Sequence, residues 1–572
     1  MIREILKKVT EEAVKEILPT TDPIEINLEY PSDFAHGDFS TNIALVLGKK
    51  NKMNPLTLAI DLVAKIHTFK PEEVAKVEVA GPGFINFYLS PAFFDKAITK
   101  ISTEEQFGKG ESLAGKKVII DYTDPNPFKQ FHIGHLMSNA IGESVSRLIE
   151  WSGAEIKRVC YQGDVGRHVA LTIWGIRKMK DPFPDEKETL AKKIAYIGKA
   201  YALGATAVKD DPSLEPEIQK LNKLVYDRSD EEVNSLYDAG KEWSLEHFEE
   251  IYAKLDTHFD QYIFESVCTP VGLELVKSNM KEGVFEESEG AVIFPGEKYD
   301  LHTRVFITKE GLPTYEAKEL GLAKIKYDSF PADTSIVLTA SEQSQYFKVL
   351  LKAAGFVIPQ IAKTMQHVSH GMLRLPTGKM SSRTGDVITG EALISEAESR
   401  AGEKIKDREF NEEEKKTVAE TVAIGAIKYS ILKQSPGKDI IFDLEQALSF
   451  EGDSGPYLQY AYVRTMSVLE KAKGRAEEEV SAQSAPTREI SDLEKLLIRF
   501  ADIVERAGKE YAPQHITTYL IAVAGAFNSF YANTPILDAG ADTPYRIALT
   551  KATSIVLKNG LTILGIRTPL KM

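Results

Sequence analysis

The chain has 572 residues, room for about four folding units at ~150 residues each, and its 43% hydrophobic and 27% charged content is that of a soluble globular protein. Its 38 glycines and 26 prolines exclude collagen-like and low-complexity classes, and two cysteines, Cys160 and Cys268, exclude a disulfide scaffold and any four-cysteine zinc site. A formal net charge of −14 disfavours a mainly electrostatic nucleic-acid binder, although local basic patches, not the total, neutralise phosphates.

Apolar residues at Ile2, Ile5, Leu6, Val9, Ala13, Val14, Ile17 and Leu18 repeat at the helical period, with acidic residues on the other face. That pattern predicts an amphipathic helix rather than a signal peptide. No apolar run approaches ~18 residues, so no membrane span is expected. The cysteine usage fits a reducing, cytoplasmic setting. A second helix is predicted from Thr41 to about Lys50, and 77–89 reads as two short strands around Gly81-Pro82-Gly83. Residues 1–112 thus form an α+β unit, either a packing domain or a substrate-binding appendage.

Val118-Ile119-Ile120-Asp121-Tyr122 is a short apolar strand, followed by the turn cluster Asp124-Pro125-Asn126-Pro127. A helix starts near Gly134 with Leu136, Ala140, Ile141, Val145, Leu148 and Ile149 on one face, and a second strand covers 156–160. Strand, helix and strand within ~45 residues make a βαβ unit and a parallel sheet. A charge-rich, mostly helical stretch over about 172–296 interrupts the pattern. It resumes with a strand at 335–339, a helix at 342–354 and a strand near 367–372, leading into a polar loop at 374–386. Two βα halves split by an insertion describe one open α/β domain. The remainder is helical, with a linker-like stretch at 480–487 and a capping box at Ser491-Asp492-Leu493-Glu494.

Two motifs carry chemistry. Phe131-His132-Ile133-Gly134-His135 lies between a strand end and a helix start, where a parallel sheet binds ligands and helix amides attract phosphate. Neither GxGxxG nor a P-loop occurs. The residues alone leave three readings open: phosphate ligands, structural histidines, or part of a metal site. Zinc would need further ligands, and no HExxH-type motif supplies them. Gly378-Lys379-Met380-Ser381-Ser382-Arg383-Thr384-Gly385-Asp386 is either a cationic lid suited to a departing phosphate or a solvated loop.

Together, His-Ile-Gly-His and Lys-Met-Ser-Ser-Arg resemble the signature pair of the class I aminoacyl-tRNA synthetases. The run from Asp121 to His132, Gly163-Asp164-Val165-Gly166, and the segments 442–452 and 457–461 resemble the arginyl-tRNA synthetase family. So do His36-Gly37-Asp38-Phe39 and Ala80-Gly81-Pro82-Gly83-Phe84-Ile85-Asn86 near the N-terminus. Val165 departs from the family's usual aromatic, Ser382 from a second lysine common across the class, and Glu319 from an aspartate.

The resemblance implies an N-terminal α+β domain at 1–112 that meets the D-loop corner of tRNA. It implies a Rossmann-like catalytic domain at 113–445 with the helical insertion at about 172–296, and an all-α anticodon-binding domain at 446–572. The implied reaction joins L-arginine to tRNA(Arg) using ATP, with Mg²⁺ accompanying ATP, no zinc, no membrane, and a monomeric, cytoplasmic enzyme. His132, Gly134, His135, Lys379 and Ser381 are implied to hold ATP, with Lys129 and Lys379 sharing the departing pyrophosphate. The guanidinium of arginine presents five N–H donors and no acceptor, so the pocket that holds it must be built of carboxylate and carbonyl oxygens. Asp121, at the C-terminal end of the first strand, is well placed for this; Tyr315, Glu319 and Gln343 align with further arginine contacts of the family, and Asn126 with a residue that meets the amino-acid end.

Overall fold

The computed structural model describes residues 2–18, 23–374, 389–435, 437–473, 488–569 and 571–572. The chain divides into two compact units, each assembled from distant segments.

The larger unit comprises Lys109–Tyr460, Ile503–Tyr519 and Gly560–Met572. Its centre is a five-stranded parallel sheet of β1 (Lys117–Asp121), β2 (Glu155–Gln162), β3 (Gln261–Phe264), β4 (Thr334–Ala340) and β5 (Met365–His370). The order is β5-β4-β1-β2-β3. Central β1 is buried on both faces, as its Val-Ile-Ile run requires. Strand order reverses between β1 and β4, and a parallel sheet opens a ligand crevice at such a point, beyond the strands' carboxyl ends. Asp121 stands at that edge, in register with Val337 of β4 and Val159 of β2. This is the expected Rossmann-like architecture.

Helix α1 (Ile133–Trp151) covers one face of the sheet. Its Glu143 is buried and accepts from Tyr122 Oη (2.5 Å), Arg147 Nε (2.7 Å) and Arg158 Nε (3.3 Å). The same helix grips the C-terminal turn: Ser144 Oγ donates to Ile563 O and Arg147 to Thr562 O. On the opposite face, α2 (Glu265–Met280) and α3 (Tyr315–Ser329) enclose Ile119, Val159, Ile263, Cys268 and Leu322. These helices meet at Gly272 and Gly321. A Cβ on Gly321 would lie 2.8 Å from Gly272 N, so larger residues would drive the helices apart.

The helical stretch expected over about 172–296 is not uniform. Four long helices between Arg167 and Lys254 pack around Trp174, Ile197, Leu221 and Trp243. The chain then rejoins the main sheet as β3, and a small antiparallel sheet follows at 286–307. With four residues, β3 is too short for alternation to stand out from its charged surroundings. Helix α4 (Ser344–Val357) matches expectation, entered through a short 3₁₀ turn at Ser341–Gln343.

The smaller unit joins Met1–Gly108 to Ala461–Asp502 and Leu520–Asn559. The first helix spans Ile2–Ile17, and strands Val74–Ala80 and Phe84–Leu89 flank the Gly-Pro-Gly turn. Helix Pro55–Thr68, not anticipated, carries a local signal: Asn54 caps it and proline occupies its first position. Leu6, Val14, Leu58, Leu62 and Phe87 form a core against which Ile490 and Ile498 also pack. Tyr30 Oη donates to Asp502 (2.5 Å), Arg3 pairs with the same carboxylate, and Arg488 reaches Asp95 (2.9 Å). The N-terminal segment therefore shares a unit with C-terminal helices. The capping box at Ser491 and Glu494 forms as expected. The linker-like stretch 480–487 lies outside the described residues.

Candidate active site

The loop from β1 to α1 carries three non-glycine residues at positive φ, Thr123 (80°), Asp124 (52°) and Phe128 (67°). Such conformations cost roughly 1–3 kcal/mol each and persist only where the surroundings enforce them. Here the enforcement is explicit. Thr123 N donates to Ser138 Oγ (3.0 Å), and Asn139 Nδ2 to Thr123 Oγ1 (3.1 Å). Tyr161 N donates to Asp124 Oδ1 (2.8 Å), and Phe128 N to Ser244 Oγ (3.0 Å) on an insertion helix. Gly163 N donates to Asn126 Oδ1 (3.0 Å), and a Cβ on Gly163 would collide with that oxygen. Asn126 therefore has its amide N–H groups to offer a ligand. Next along the chain, Asp164 is fully buried and accepts from Tyr237, Lys241 and Ser266, which hold its carboxyl low in spite of burial.

His132 and His135 cap α1 reciprocally. His132 Nδ1 accepts from Gly134 N (3.1 Å) and His135 N (3.4 Å), while His132 N donates to His135 Nδ1 (3.2 Å). Both Nδ1 atoms are acceptors, so the proton of each neutral ring sits on Nε2. Desolvation lowers both imidazole pKa values, and the nearby charge of Lys129 lowers them further. The rings stack at 3.5 Å. The cap thus yields two neutral imidazoles whose remaining polar group is an N–H donor, at the positive end of a 19-residue helix. Gly134 has a second purpose beyond ligand room: a Cβ there would sit 3.0 Å from the His132 ring. Lys379 and Ser381 lie outside the described residues. Where the described chain resumes, Thr389 bridges to His132 and Gly390 N donates to Phe131 O (2.8 Å).

A group of carboxylates occupies the other side of the crevice. Asp121 is 1% exposed; Lys326 Nζ donates to its Oδ2 at 2.8 Å, and its Oδ1 is buried without a partner. Glu319, one turn into α3, is pushed up to about 8 by desolvation, with Asp121, Glu265 and Glu316 adding to the rise and Lys326 opposing it. Asp124 is likewise raised by desolvation and by Asp121. Glu265 accepts from Lys318 Nζ (2.7 Å), which also reaches Tyr226 Oη (3.1 Å). Tyr161 and Tyr346 hydroxyls are buried there unpartnered. Tyr315 opens α3, 66% exposed, with Lys318 Nζ 5.4 Å from its ring centroid. Gln343 is exposed just past β4. Lys129 is exposed, and it feels Glu265 on one side while acting on His132 on the other.

Asp121 and Glu319 thus converge around Lys326, Tyr315 stands by Lys318, and Asn126 is tied to Gly163. Sequence reasoning missed Asp124, Glu265, Lys318 and Lys326. Lys326 alone had a signal, lying seven residues after Glu319 and hence on the same helix face. Among the described residues, no group of three or more His, Cys, Asp or Glu is arranged to hold a metal ion, and no helix is long and apolar enough to cross a membrane.

A histidine-capped helix at the switch point of a parallel sheet, used in place of a glycine-rich loop, belongs to the class I aminoacyl-tRNA synthetases. Residues 97–444 match the family described as tRNA synthetases class I (R), catalytic domain. Residues 2–89 match the arginyl tRNA synthetase N terminal domain, and 458–572 the DALR anticodon binding domain. The chain is 33% identical to an arginine–tRNA ligase of Fusobacterium nucleatum, over 98% of both chains. One from Streptococcus suis is also 33% identical, over 99% of this chain and all of that one. The fold is similar to Thermus thermophilus arginyl-tRNA synthetase, with a TM-score of 0.79 at 23% identity over the whole of both chains. The chain belongs to the arginyl-tRNA synthetase family.

Proposed function

We propose that this crevice catalyses the arginine–tRNA ligase reaction. The carboxylate oxygen of L-arginine attacks the α-phosphorus of ATP, the bond to the bridging oxygen breaks, and pyrophosphate leaves. The 2′-hydroxyl of the terminal adenosine of tRNA(Arg) then attacks the activated carbonyl, its proton is lost, and AMP departs. The observation that carries this reading is the pairing, in one crevice, of two neutral Nε2–H donors with a buried carboxylate group, which suits a polyphosphate beside a guanidinium.

In-line displacement at phosphorus needs alignment and cations more than covalent help. His132 and His135 hold the ATP phosphates, and Gly134 gives the adenine room. Lys129 and Lys379 meet the departing pyrophosphate, Ser381 contributes to binding ATP, and Mg²⁺ would accompany ATP, bound mainly through phosphate oxygens and water. Asp121 and Glu319 accept from the guanidinium, Tyr315 and Gln343 are further arginine contacts, and Asn126 meets the amino-acid end. Residues 1–112 face the D-loop corner of tRNA and 446–572 its anticodon arm, in a cytoplasmic monomer. Arginine-dependent ATP–pyrophosphate exchange, run with and without tRNA(Arg), tests the reading. Exchange with arginine above all other amino acids is expected. No exchange under either condition, or better exchange with another amino acid, would overturn it.

A further inference from the structure

The carboxylates of the crevice outnumber the cations that touch them. Asp121, Asp124 and Glu319 lie within electrostatic reach of one another, and the buried cation among them is Lys326. Its neighbour Lys318 is already committed to Glu265 at 2.7 Å. Lys326 enters from below. It sits two turns beyond Glu319 on α3, and helical side chains lean toward their helix's N-terminus, so its stem climbs toward the crevice and ends on Asp121 Oδ2. Only 3% of Lys326 is exposed.

We infer that Lys326 is a specificity-determining positioning residue, an internal cation that closes the floor of the arginine pocket and orients Asp121 so that Oδ1 faces the substrate guanidinium. The inference rests on the assignment of this pocket to arginine. With Oδ2 taken, Asp121 presents one acceptor, and Glu319 must complete the set. Three carboxylates around one internal cation leave a deficit of positive charge. A substrate guanidinium makes up part of it, and a bound proton does so in its absence.

This arrangement has a pH signature. Glu319 faces Asp121 from β1, Asp124 from the following loop, and Glu265 and Cys268 from α2. It also faces Glu316 and Lys326 on its own helix, Tyr161 from β2 and Tyr346 from α4. In the free pocket its pKa is about 8. A bound cation favours the ionised form, so arginine must expel a proton below pH 8. The KM for arginine therefore falls as pH rises from 6.5 to 8, by at most about tenfold per unit, and levels above 8. Without Lys326, the remaining carboxylates ionise less readily and the levelling point moves up.

Steady-state aminoacylation of tRNA(Arg) by the full chain, with KM for arginine and for ATP measured from pH 6.5 to 9, tests the inference. Lys326→Met is expected to raise the arginine KM at pH 7 at least tenfold, leave the ATP KM within twofold, and shift the levelling point upward by a unit or more. Lys326→Arg keeps the charge and is expected to keep the wild-type profile. A Lys326→Met profile matching wild type would overturn the inference. So would equal shifts in Met and Arg variants, or equal rises in both KM values. Lys326→Gln serves if the Met variant does not fold, and failure of both to fold would make Lys326 a folding residue. Asp121→Asn separates the two levels. If it raises the arginine KM and Lys326→Met does not, the pocket stands and the inference falls. If neither changes it, the pocket assignment falls as well.

Discussion

The two ends of the crevice are built by different means. At the phosphate end, the bonds that orient His132 and His135 close within four residues, from backbone N–H groups to ring nitrogens. At the arginine end, Asp121 and Lys326 are 205 residues apart in sequence, and Glu265 and Lys318 are 53 apart. A local device depends on its own few residues and leaves a readable signature. A distributed one depends on the whole sheet being assembled and leaves almost none. The same contrast predicts which end tolerates distant change.

The largest effect expected is at the phosphate end. Lys129→Ala and Lys379→Ala should each slow single-turnover adenylate formation by ~10²–10³ with little change in ATP affinity, the usual cost of losing a transition-state charge contact. Arg383→Ala should do less. Near-normal turnover in Lys129→Ala would make that lysine a solvated loop residue and leave the phosphate end with one ammonium.

His132 offers a sharper cut, because its two nitrogens have different tasks. Asparagine can cap the helix but has no group at the Nε2 position, whereas glutamine can place an N–H there but caps poorly. His132→Asn should keep the melting temperature and lose about 10² in adenylation rate. His132→Gln should retain more activity while losing about 1 kcal/mol of stability. Identical behaviour of the two variants would show that capping and phosphate binding are not separable in this motif.

The smallest effect probes how far the local end is truly local. Ser244, on an insertion helix, accepts from Phe128 N at 3.0 Å and donates to Gly240 O at 2.7 Å. Ser244→Ala leaves a buried N–H unpaired, at a cost of about 1–3 kcal/mol. A lowered melting temperature with a few-fold drop in kcat is expected. A loss as large as that of Lys129→Ala would mean that the insertion sets the phosphate end as firmly as the capping box does.

What could be read from the sequence follows the same division. The sheet strands of the βα halves were legible because Val118-Ile119-Ile120 and Ser335–Thr339 are apolar runs beside turn clusters, and the capping box at Ser491 announces itself in four letters. Strand β3 was not, because four residues carry no period. Asp121 was legible from its place at the end of the first strand and the need of a guanidinium for oxygens, Glu319 only from the family resemblance. Their common partner Lys326 was overlooked because a lysine on a helix reads as a solvated residue until its burial is known.

By itself, then, the sequence determined the βα halves of the sheet, the place of the histidine pair at a helix start and the family, since each rests on residues close together along the chain. Only the tertiary structure decided that Lys326 is buried against Asp121, that the N-terminal segment shares a unit with C-terminal helices, and that Thr123, Asp124 and Phe128 are held at positive φ. The physical reason is common to all three. Desolvation, ion pairing and backbone strain depend on what lies a few ångströms away in space, and that neighbour comes from a remote part of the chain.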